Sequence, residues 1–269
     1  MASSPKLNFA APLSLTHIGT AAAIIHLNGV NLITDPVFSA AGEEFHLGGH
    51  TLKTTLSAAL SLSHLPPIDA VLLSHEDHPD NLDSPGRQLL DGRHVLTTPD
   101  GASKLAPRPG VRALHPWETT TLTFGGREFA ITGTPCVHLP GGEVTGFIIT
   151  TPEFGETDGL PNAIYFSGDT IYLPELAQMK DKFHISVALL NIGNVLVPHP
   201  EGGVLQITMA GEDAARLARE IEADVLVPMH FESWAHFTEG KEELRGALER
   251  EGVQEKVVWL EPGVKTRVV

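Results

Sequence analysis

Four short apolar runs, each followed closely by a histidine or an aspartate, constrain the fold of this chain more than any other feature. The first run, Ile68–Leu73, ends just before His75. The other three runs lead to His138, Asp169 and His230. Apolar runs of this length are consistent with strands buried on both faces. Because side chains at the ends of different strands converge on one face of a layered sheet fold, the pattern predicts a layered α+β protein with a site at that face.

The loop after the first run carries metal-binding types of side chain at high density. Two histidines and four acidic residues occupy positions 75–83. A divalent cation needs several imidazole or carboxylate ligands at about 2 to 2.2 Å, and a tight loop leaving a strand can direct them to one point. For this segment alone, a solvated acidic loop with surface histidines is the simpler alternative. The three further strand ends with His, Asp and His favour a metal site.

Strand, turn and helix patterns favour one domain, residues 1–269, built from two similar halves. Short strands are predicted at Leu13–Leu15, Ala22–Leu27, Asn31–Thr34, Ile68–Leu73, His94–Thr97, Glu128–Thr132, Thr145–Thr150, Ala163–Phe166, Val187–Leu190 and Val225–Val227. Helices are predicted at Ser84–Asp91, Ala210–Glu222 and Lys241–Glu251. The stretch from Ser39 to His64 has no clear period and is interpreted as a long loop or lid. Helices outside paired sheets would give a sheet sandwich.

Composition and charge narrow the class of protein. With 42% hydrophobic residues, the chain can bury a sizeable core. No stretch approaches the roughly 20 apolar residues of a membrane helix, so no membrane partner is expected. The segment Met1–Leu15 has no sustained apolar core and is a poor secretory signal, which makes the cytoplasm the expected location. The net charge of −15 would repel phosphate backbones and argues against nucleic acid as a partner.

The loop and the three later strand ends resemble the metallo-β-lactamase-fold hydrolases. That family has a His-x-His-x-Asp-His loop after a strand, followed by single His, Asp and His ligands. Four further stretches resemble its L-ascorbate-6-phosphate-lactonase-like branch, namely Thr16–Ala21, Ile33–Val37, Phe166–Thr170 and Val227–Phe231. The resemblance spans nearly the whole chain and implies a four-layer αββα sandwich with a hydrolytic site for one or two metal ions between its halves.

The loop departs from the family pattern in two ways. It has one more residue between the first His and the Asp, and Asn81 stands where the last His of the motif is expected. Aligned from Asp80, the loop leaves His75 or Glu76 for the first position, with Asp77 as a further substitute; we assign His75 because it directly follows the strand and Ser74. The resemblance then implies a first metal at His75, His78 and His138, and a second at Asp80 and His230, with Asp169 bridging.

The implied cofactor is zinc, as one or two ions. An asparagine oxygen is a weaker metal ligand than a neutral imidazole, so Asn81 would make the second site weak or favour an oxygen-preferring ion such as Mn²⁺. The implied activity is hydrolysis of a small-molecule ester, lactone, amide or phosphodiester by a metal-bound hydroxide, which Asp80, as the catalytic residue, would orient. No Gly-x-Ser-x-Gly elbow is present, and the chain's one cysteine, Cys136, sits beside a proposed ligand. Serine or cysteine nucleophiles are therefore the poorer account.

Two other functions stay open. One is a nuclease of the same superfamily, which the net charge of −15 argues against. The other is a catalytically weakened metal- or ligand-binding protein with the same fold, since fold does not fix function. The oligomeric state is also open. Other candidates for lining the site, with packing or surface roles as the alternative, are His17, His199, Trp234 and His236.

Overall fold

The computed structural model describes residues 9–47, 50–199 and 201–269. Within these ranges the strands are β1 (Leu13–Gly19), β2 (Ala22–Leu27), β3 (Val30–Thr34), β4 (Glu44–Leu47), β5 (His50–Lys53), β6 (Ala70–Leu72), β7 (His94–Thr97), β8 (Val111–Ala113), β9 (Thr119–Phe124), β10 (Arg127–Pro135), β11 (Thr145–Thr150), β12 (Glu156–Thr157), β13 (Leu160–Phe166), β14 (His184–Asn191), β15 (Leu196–Pro198), β16 (Val204–Gln206), β17 (Val225–Met229) and β18 (Lys265–Arg267). The α-helices are α1 (Ser84–Leu89), α2 (Pro99–Lys104), α3 (Gly211–Glu220) and α4 (Lys241–Arg250). Short 3₁₀ helices lie at Leu62–His64, Pro152–Phe154, Pro174–Asp181 and Gln254–Lys256.

Two large sheets contain most of these strands. In the described residues, the first has the order β18-β1-β2-β3-β6-β7-β8 and the second β17-β14-β13-β11-β10-β9. Strands β3, β6, β7 and β8 are parallel to one another, as are β13, β14 and β17. Strand β10 is antiparallel to β11, which is antiparallel to β13, so β10 and β13 run the same way. The carboxyl ends of β10, β13 and β17 therefore share one edge of the second sheet.

Three apolar clusters separate four layers. Between the two sheets lie fully buried side chains such as Leu15, Leu72, Phe147 and Phe166. A second cluster joins the outer face of the first sheet to Leu89 and Leu90 at the end of α1, and a third joins the second sheet to α3 and α4. Each fully buried Leu or Phe contributes about 1.5–3 kcal/mol relative to exposure. The predicted four-layer αββα sandwich is confirmed.

The two helices predicted near the carboxyl end are present with slightly shorter bounds. In α3 the apolar residues Ala214, Leu217 and Ala218 recur at helical spacing, and all are buried against the second sheet. Strands β2 and β3 form a hairpin, with Asn28 and Gly29 at its turn in the left-handed region that such turns require.

The predicted loop from Ser39 to His64 is wrong in part. It contains the antiparallel hairpin β4–β5 and a 3₁₀ turn at Leu62–His64, while Gly48 and Gly49 lie outside the described residues. The hairpin strands are mostly exposed. They therefore lack the alternation of apolar and polar residues that is typical of a strand with one buried face, and the sequence shows no hydrophobic period there. A second exposed hairpin, β15–β16, follows β14; Pro200, between its strands, lies outside the described residues.

The segment Met1–Leu15 is predicted to be a poor secretory signal. Its first eight residues lie outside the described residues. In the part of the chain that is described, no helix has the length and apolar character needed to cross a membrane.

Candidate metal centre

Three imidazoles converge where the two sheets meet. The Nε2 atom of His75 lies 2.8 Å from Nδ1 of His78. The Nε2 atom of His138 lies 3.3 Å from the same Nδ1 atom. One ring nitrogen of each residue lies within 4.8 Å of those of the other two. His75 follows β6 of the first sheet and His138 follows β10 of the second, so this imidazole group joins the two halves.

Hydrogen bonds on the far side of two rings fix which nitrogen faces the group. Nδ1 of His138 donates to the backbone carbonyl of Ile207 at 2.7 Å. Nδ1 of His75 lies 2.8 Å from the Ser74 hydroxyl, which donates to Asp35 at 2.7 Å. Because the hydroxyl proton is given to Asp35, the hydroxyl oxygen accepts from His75. Both histidines therefore present an unprotonated Nε2, the atom that binds a metal.

A second group, rich in carboxylates, lies beside the first. Nε2 of His230 is 3.2 Å from Oδ2 of Asp169 and 3.5 Å from Oδ2 of Asp80. Nε2 of His236 is 3.2 Å from the same oxygen of Asp80. The other oxygen of Asp169 accepts a hydrogen bond from the Asn191 amide at 2.7 Å. His230 directly follows β17 and has a φ of 60°, a left-handed turn that ends the strand at the site.

The electrostatics of this carboxylate group depend on its imidazoles. Burial by itself would raise the pKa of Asp80, but the close imidazoles of His230 and His236 hold that pKa well below its usual value. Burial by itself would lower the pKa of His230, whereas the carboxylates of Asp169 and Asp80 raise it to about 9. Asp169 also interacts electrostatically with His138 and His75 of the imidazole group. It therefore lies between the two groups.

The donor atoms fit a divalent cation. Both ring nitrogens of His230 are buried, and neither makes a hydrogen bond of acceptable geometry within the described residues, although two carboxylates are near Nε2. An unpaired buried imidazole is costly, and a cation between Nε2 and the carboxylates would remove that cost. For the imidazole group, three nitrogens bound to one zinc ion at 2.0–2.1 Å would lie about 3.3 Å apart, close to the spacings from His78.

All six residues assigned as metal ligands from the sequence belong to these two groups. The alternative ligands considered in the same loop make other contacts. Glu76 pairs with Arg87 at 2.9 Å and Lys104 at 3.2 Å, so His75 rather than Glu76 reaches the imidazole group. Asp77 is exposed. The amide nitrogen of Asn81 donates to Asp35 at 3.1 Å, and its buried oxygen makes no hydrogen bond within the described residues.

The four residues that were expected to line the site make different contacts in the structure. His17 is buried and donates to the carbonyl of Thr20 at 3.1 Å. His199 accepts from the backbone N–H of Glu201 at 3.1 Å within its own hairpin, and the Trp234 indole donates to Thr20 at 2.9 Å. His236 reaches Asp80, a contact that the sequence analysis did not predict. The sequence offers one weak signal for this contact, which is that His236 follows the strand-end residue His230 by six positions.

Both groups open into one cavity of about 400 Å³. His78, His138, Asp80, Asp169, His230 and His236 all line it. Its other walls are mainly apolar and come from the two exposed hairpins and nearby loops, with Leu47, Leu52, Leu139, Val195, Leu196, Val197, Pro198 and Ile207. Among the described residues that line the cavity there is no lysine or arginine.

The fold and the site define a protein of the β-lactamase superfamily. The sequence profile of the beta-lactamase superfamily domain matches residues 30–231, and the chain belongs to this family. The chain is 25% identical over 263 residues to a UPF0173 metal-dependent hydrolase of Methanopyrus kandleri, covering 93% of this chain and 98% of that protein. At the level of class, the predicted metal-dependent hydrolase is confirmed; the lactonase-like branch stays a prediction.

Solved structures agree with the fold. An isothiocyanate hydrolase from Delia radicum gut bacteria superimposes with a TM-score of 0.73 at 21% identity, covering 94% of this chain and 98% of that one. Igni18, a metallo hydrolase from Ignicoccus hospitalis, gives a TM-score of 0.70 at 23% identity, with coverages of 95% and 98%. At these identities the two structures support the fold alone.

Proposed function

We propose that the protein hydrolyses a small, uncharged and largely apolar molecule at a carbonyl-type carbon, using one or two divalent ions. Six residues would hold the ions: His75, His78, His138, Asp80, Asp169 and His230. The observation that carries the proposal is the cavity of about 400 Å³, whose apolar walls adjoin five of these six side chains, all except that of His75. Pockets of this size that are lined by apolar side chains with a few convergent polar groups are typical of small-molecule sites.

The charge of the cavity selects among substrates. Recognition of a phosphate or carboxylate group usually relies on arginine or lysine, and the described lining contains neither. A neutral ester, lactone or amide therefore fits better than a phosphodiester, and the same argument disfavours the nuclease alternative.

The metal follows from the ligand types. An all-imidazole group suits zinc, whereas the carboxylate-rich group suits zinc or the oxygen-preferring Mn²⁺. When bound, a divalent ion supplies Lewis acidity, which activates water near neutral pH and polarises the substrate's oxygen.

The chain's own residues orient the reactants. The low pKa of Asp80 keeps its carboxylate ionised at neutral pH, so it can accept a hydrogen bond from the attacking water and fix the direction of its lone pair. The apolar side chains of Leu52, Leu196 and Ile207 line the cavity and would exclude bulk water around the substrate. We therefore assign Asp80 the catalytic role and the apolar walls the role of substrate binding.

A matched pair of substrates tests this proposal. The p-nitrophenyl ester of butyric acid and the p-nitrophenyl monoester of succinic acid share a leaving group and a similar length, but the second is anionic. We expect kcat/KM for the neutral ester to exceed that for the anionic ester by about tenfold or more, the equivalent of 1.4 kcal/mol or more. A preference for the anionic ester, or for bis-p-nitrophenyl phosphate, would overturn the proposal.

A wider panel separates the remaining functions. It adds a γ-lactone, an anilide and benzyl isothiocyanate, the last because a protein of the same fold is an isothiocyanate hydrolase and such compounds are small, neutral and electrophilic at carbon. Metal content is measured in parallel. Tight metal binding without turnover of any neutral compound would favour the metal- or ligand-binding alternative over catalysis.

A further inference from the structure

We propose that His236 is a metal ligand of the carboxylate group and supplies the imidazole that the loop lacks at Asn81. This inference rests on the proposed function, because it adds a ligand to the same metal site. Oδ2 of Asp80 lies 3.2 Å from Nε2 of His236 and 3.5 Å from Nε2 of His230. His236 is thus at least as close to Asp80 as the strand-end histidine is.

The surroundings of His236 hold its ring toward the site. The backbone N–H of Ala235 donates to the carbonyl of Lys53 at 3.0 Å, and the carbonyl of Ser233 accepts from Thr55 at 2.7 Å. The Trp234 indole donates to Thr20 at 2.9 Å. These contacts fasten the loop just before His236 to the first half of the molecule.

Aromatic packing then fixes the two imidazoles relative to each other. The Phe237 ring lies 4.5 Å from the ring of His236 and 4.7 Å from the ring of His230, measured between centroids. One aromatic side chain therefore contacts both histidines. His236 is also only partly exposed, at 19% of its side chain, so its ring has limited freedom to turn away from Asp80.

The amide nitrogen of Asn81 is committed to the imidazole side of the site. The side chain is completely buried, and its nitrogen donates to Oδ2 of Asp35 at 3.1 Å, whereas its oxygen makes no hydrogen bond within the described residues. Asp35 in turn accepts from Ser74, the residue that orients His75. The asparagine thus supports the imidazole group from behind, and the carboxylate group takes its second imidazole from a different part of the chain.

The charges and the donor types fit a divalent cation at His236. Asp80 and Asp169 bring two negative charges to a nearly fully buried site. Two neutral imidazoles and one divalent cation complete a set whose charges sum to zero. Two nitrogen and two carboxylate ligands are also a donor set that zinc accepts in tetrahedral sites.

The test measures metal binding rather than turnover. Zn²⁺ is titrated into the metal-free protein by calorimetry, with wild type compared to His236→Ala and to His64→Ala, which removes an exposed histidine away from the cavity. We expect two equivalents in wild type and in His64→Ala. In His236→Ala the first equivalent should be unchanged and the second weakened by about tenfold or more.

A second pair of variants distinguishes His236 from Asn81. Asn81→Ala should weaken the second equivalent less than His236→Ala does, because the observed bond of Asn81 goes to Asp35 whereas His236 lies 3.2 Å from Asp80. The visible spectrum of Co²⁺ added as the second equivalent should change in His236→Ala and keep its wild-type shape in His64→Ala. If circular dichroism shows that His236→Ala does not fold, His236→Gln replaces it, and we expect the same weakening of the second equivalent.

Four outcomes decide the inference. Weakening of the second equivalent that is strongest in the His236 variant and absent in His64→Ala supports it. Wild-type affinities for both equivalents in that variant, or a single equivalent in wild type, overturn it while the proposed hydrolase with a metal at the imidazole group still stands. Failure of wild type to bind any divalent ion overturns the proposed function itself.

Discussion

The Ser74 hydroxyl donates a hydrogen bond of 2.7 Å to the buried carboxylate of Asp35. The same carboxylate accepts from the Ser74 backbone N–H at 2.6 Å and from the Asn81 amide at 3.1 Å. Burial, together with the nearby Asp169, raises the pKa of Asp35 to about 8, and a divalent cation bound at the neighbouring imidazole group would favour its ionised form. In that form a buried carboxylate held by three donors behind His75, a proposed metal ligand, would orient the ligand and increase its basicity.

Asp35→Asn should therefore weaken metal binding at the imidazole group. An amide offers one acceptor oxygen where the carboxylate offers two, so Ser74 loses a partner and no longer fixes the His75 ring. We expect the first metal equivalent to bind about 10- to 100-fold more weakly, as measured by competition with a chelator of known affinity. Asp69→Asn, at a partly exposed carboxylate that accepts from Asn31, is the control. Unchanged affinity in a folded Asp35→Asn protein would contradict the orienting role.

Asp80→Ala should remove most of the activity and leave the fold intact. The proposed role of this carboxylate is to orient the attacking water, and loss of a general base or orienting group typically costs about 10²–10⁴ in rate. The measurement is kcat/KM on the neutral ester, with circular dichroism as the folding control. Full activity in a folded Asp80→Ala protein would rule out the proposed role of this loop in hydrolysis.

Cys136→Ala is the matched comparison for Asp80→Ala. Burial raises the pKa of the Cys136 thiol, so little thiolate exists at neutral pH. Its sulfur donates long hydrogen bonds to the backbone carbonyls of Thr134 and Ser167. We expect near wild-type kcat/KM for this variant, and an inactive Cys136→Ala protein would revive a nucleophilic mechanism.

The sequence indicates the residues of the site where they follow a buried strand. His138, Asp169 and His230 each come after an apolar run, and parallel or equivalently directed strands bring such ends to one edge. The position of His236 could not be obtained in this way. It depends on a loop held by Trp234 against Thr20, a contact between residues 214 positions apart, and no local pattern encodes such a contact.

The cavity walls also could not be predicted from local sequence patterns. Hairpins β4–β5 and β15–β16 are largely exposed, so their side chains do not alternate between core and solvent. Periodicity reports burial against a core, and strands outside the core give no such signal. The sandwich and the strand-end residues of the site were therefore predictable, whereas the apolar cavity walls were not.

Binding of the second metal ion should release a proton from His230. The pKa of this imidazole is raised to about 9 by Asp169 and Asp80 against the effect of burial, so it is protonated at pH 7 and must lose its proton to bind a metal. Burial and the neighbouring His78 lower the pKa of His75, and burial lowers that of His138. These two are already neutral. Affinity for the second equivalent should therefore fall as the pH falls below about 9, while the first equivalent is less sensitive.

Calorimetry in buffers of different ionisation enthalpy measures this proton release. At pH 7 we expect about one proton released with the second equivalent, and fewer with the first. His46→Ala, at an exposed histidine on β4, should leave both numbers unchanged. Greater release with the first equivalent than with the second would contradict the assignment of neutral imidazoles to the first site.

Leu196→Arg should shift the substrate preference toward anions. Leu196 lines the cavity and its side chain is 40% exposed, so an arginine can be accommodated without disturbing the core. The new cation would attract the carboxylate of the succinate monoester. We expect the kcat/KM of this ester to rise up to about fivefold relative to that of the butyrate ester, in line with about 0.2–1 kcal/mol for an exposed charge pair. Val204→Arg adds the same charge to the paired strand β16 at a residue that is 71% exposed and does not line the cavity. Equal shifts in the two variants would mean that net charge acts at a distance, and no shift in Leu196→Arg would mean that this wall does not face the substrate.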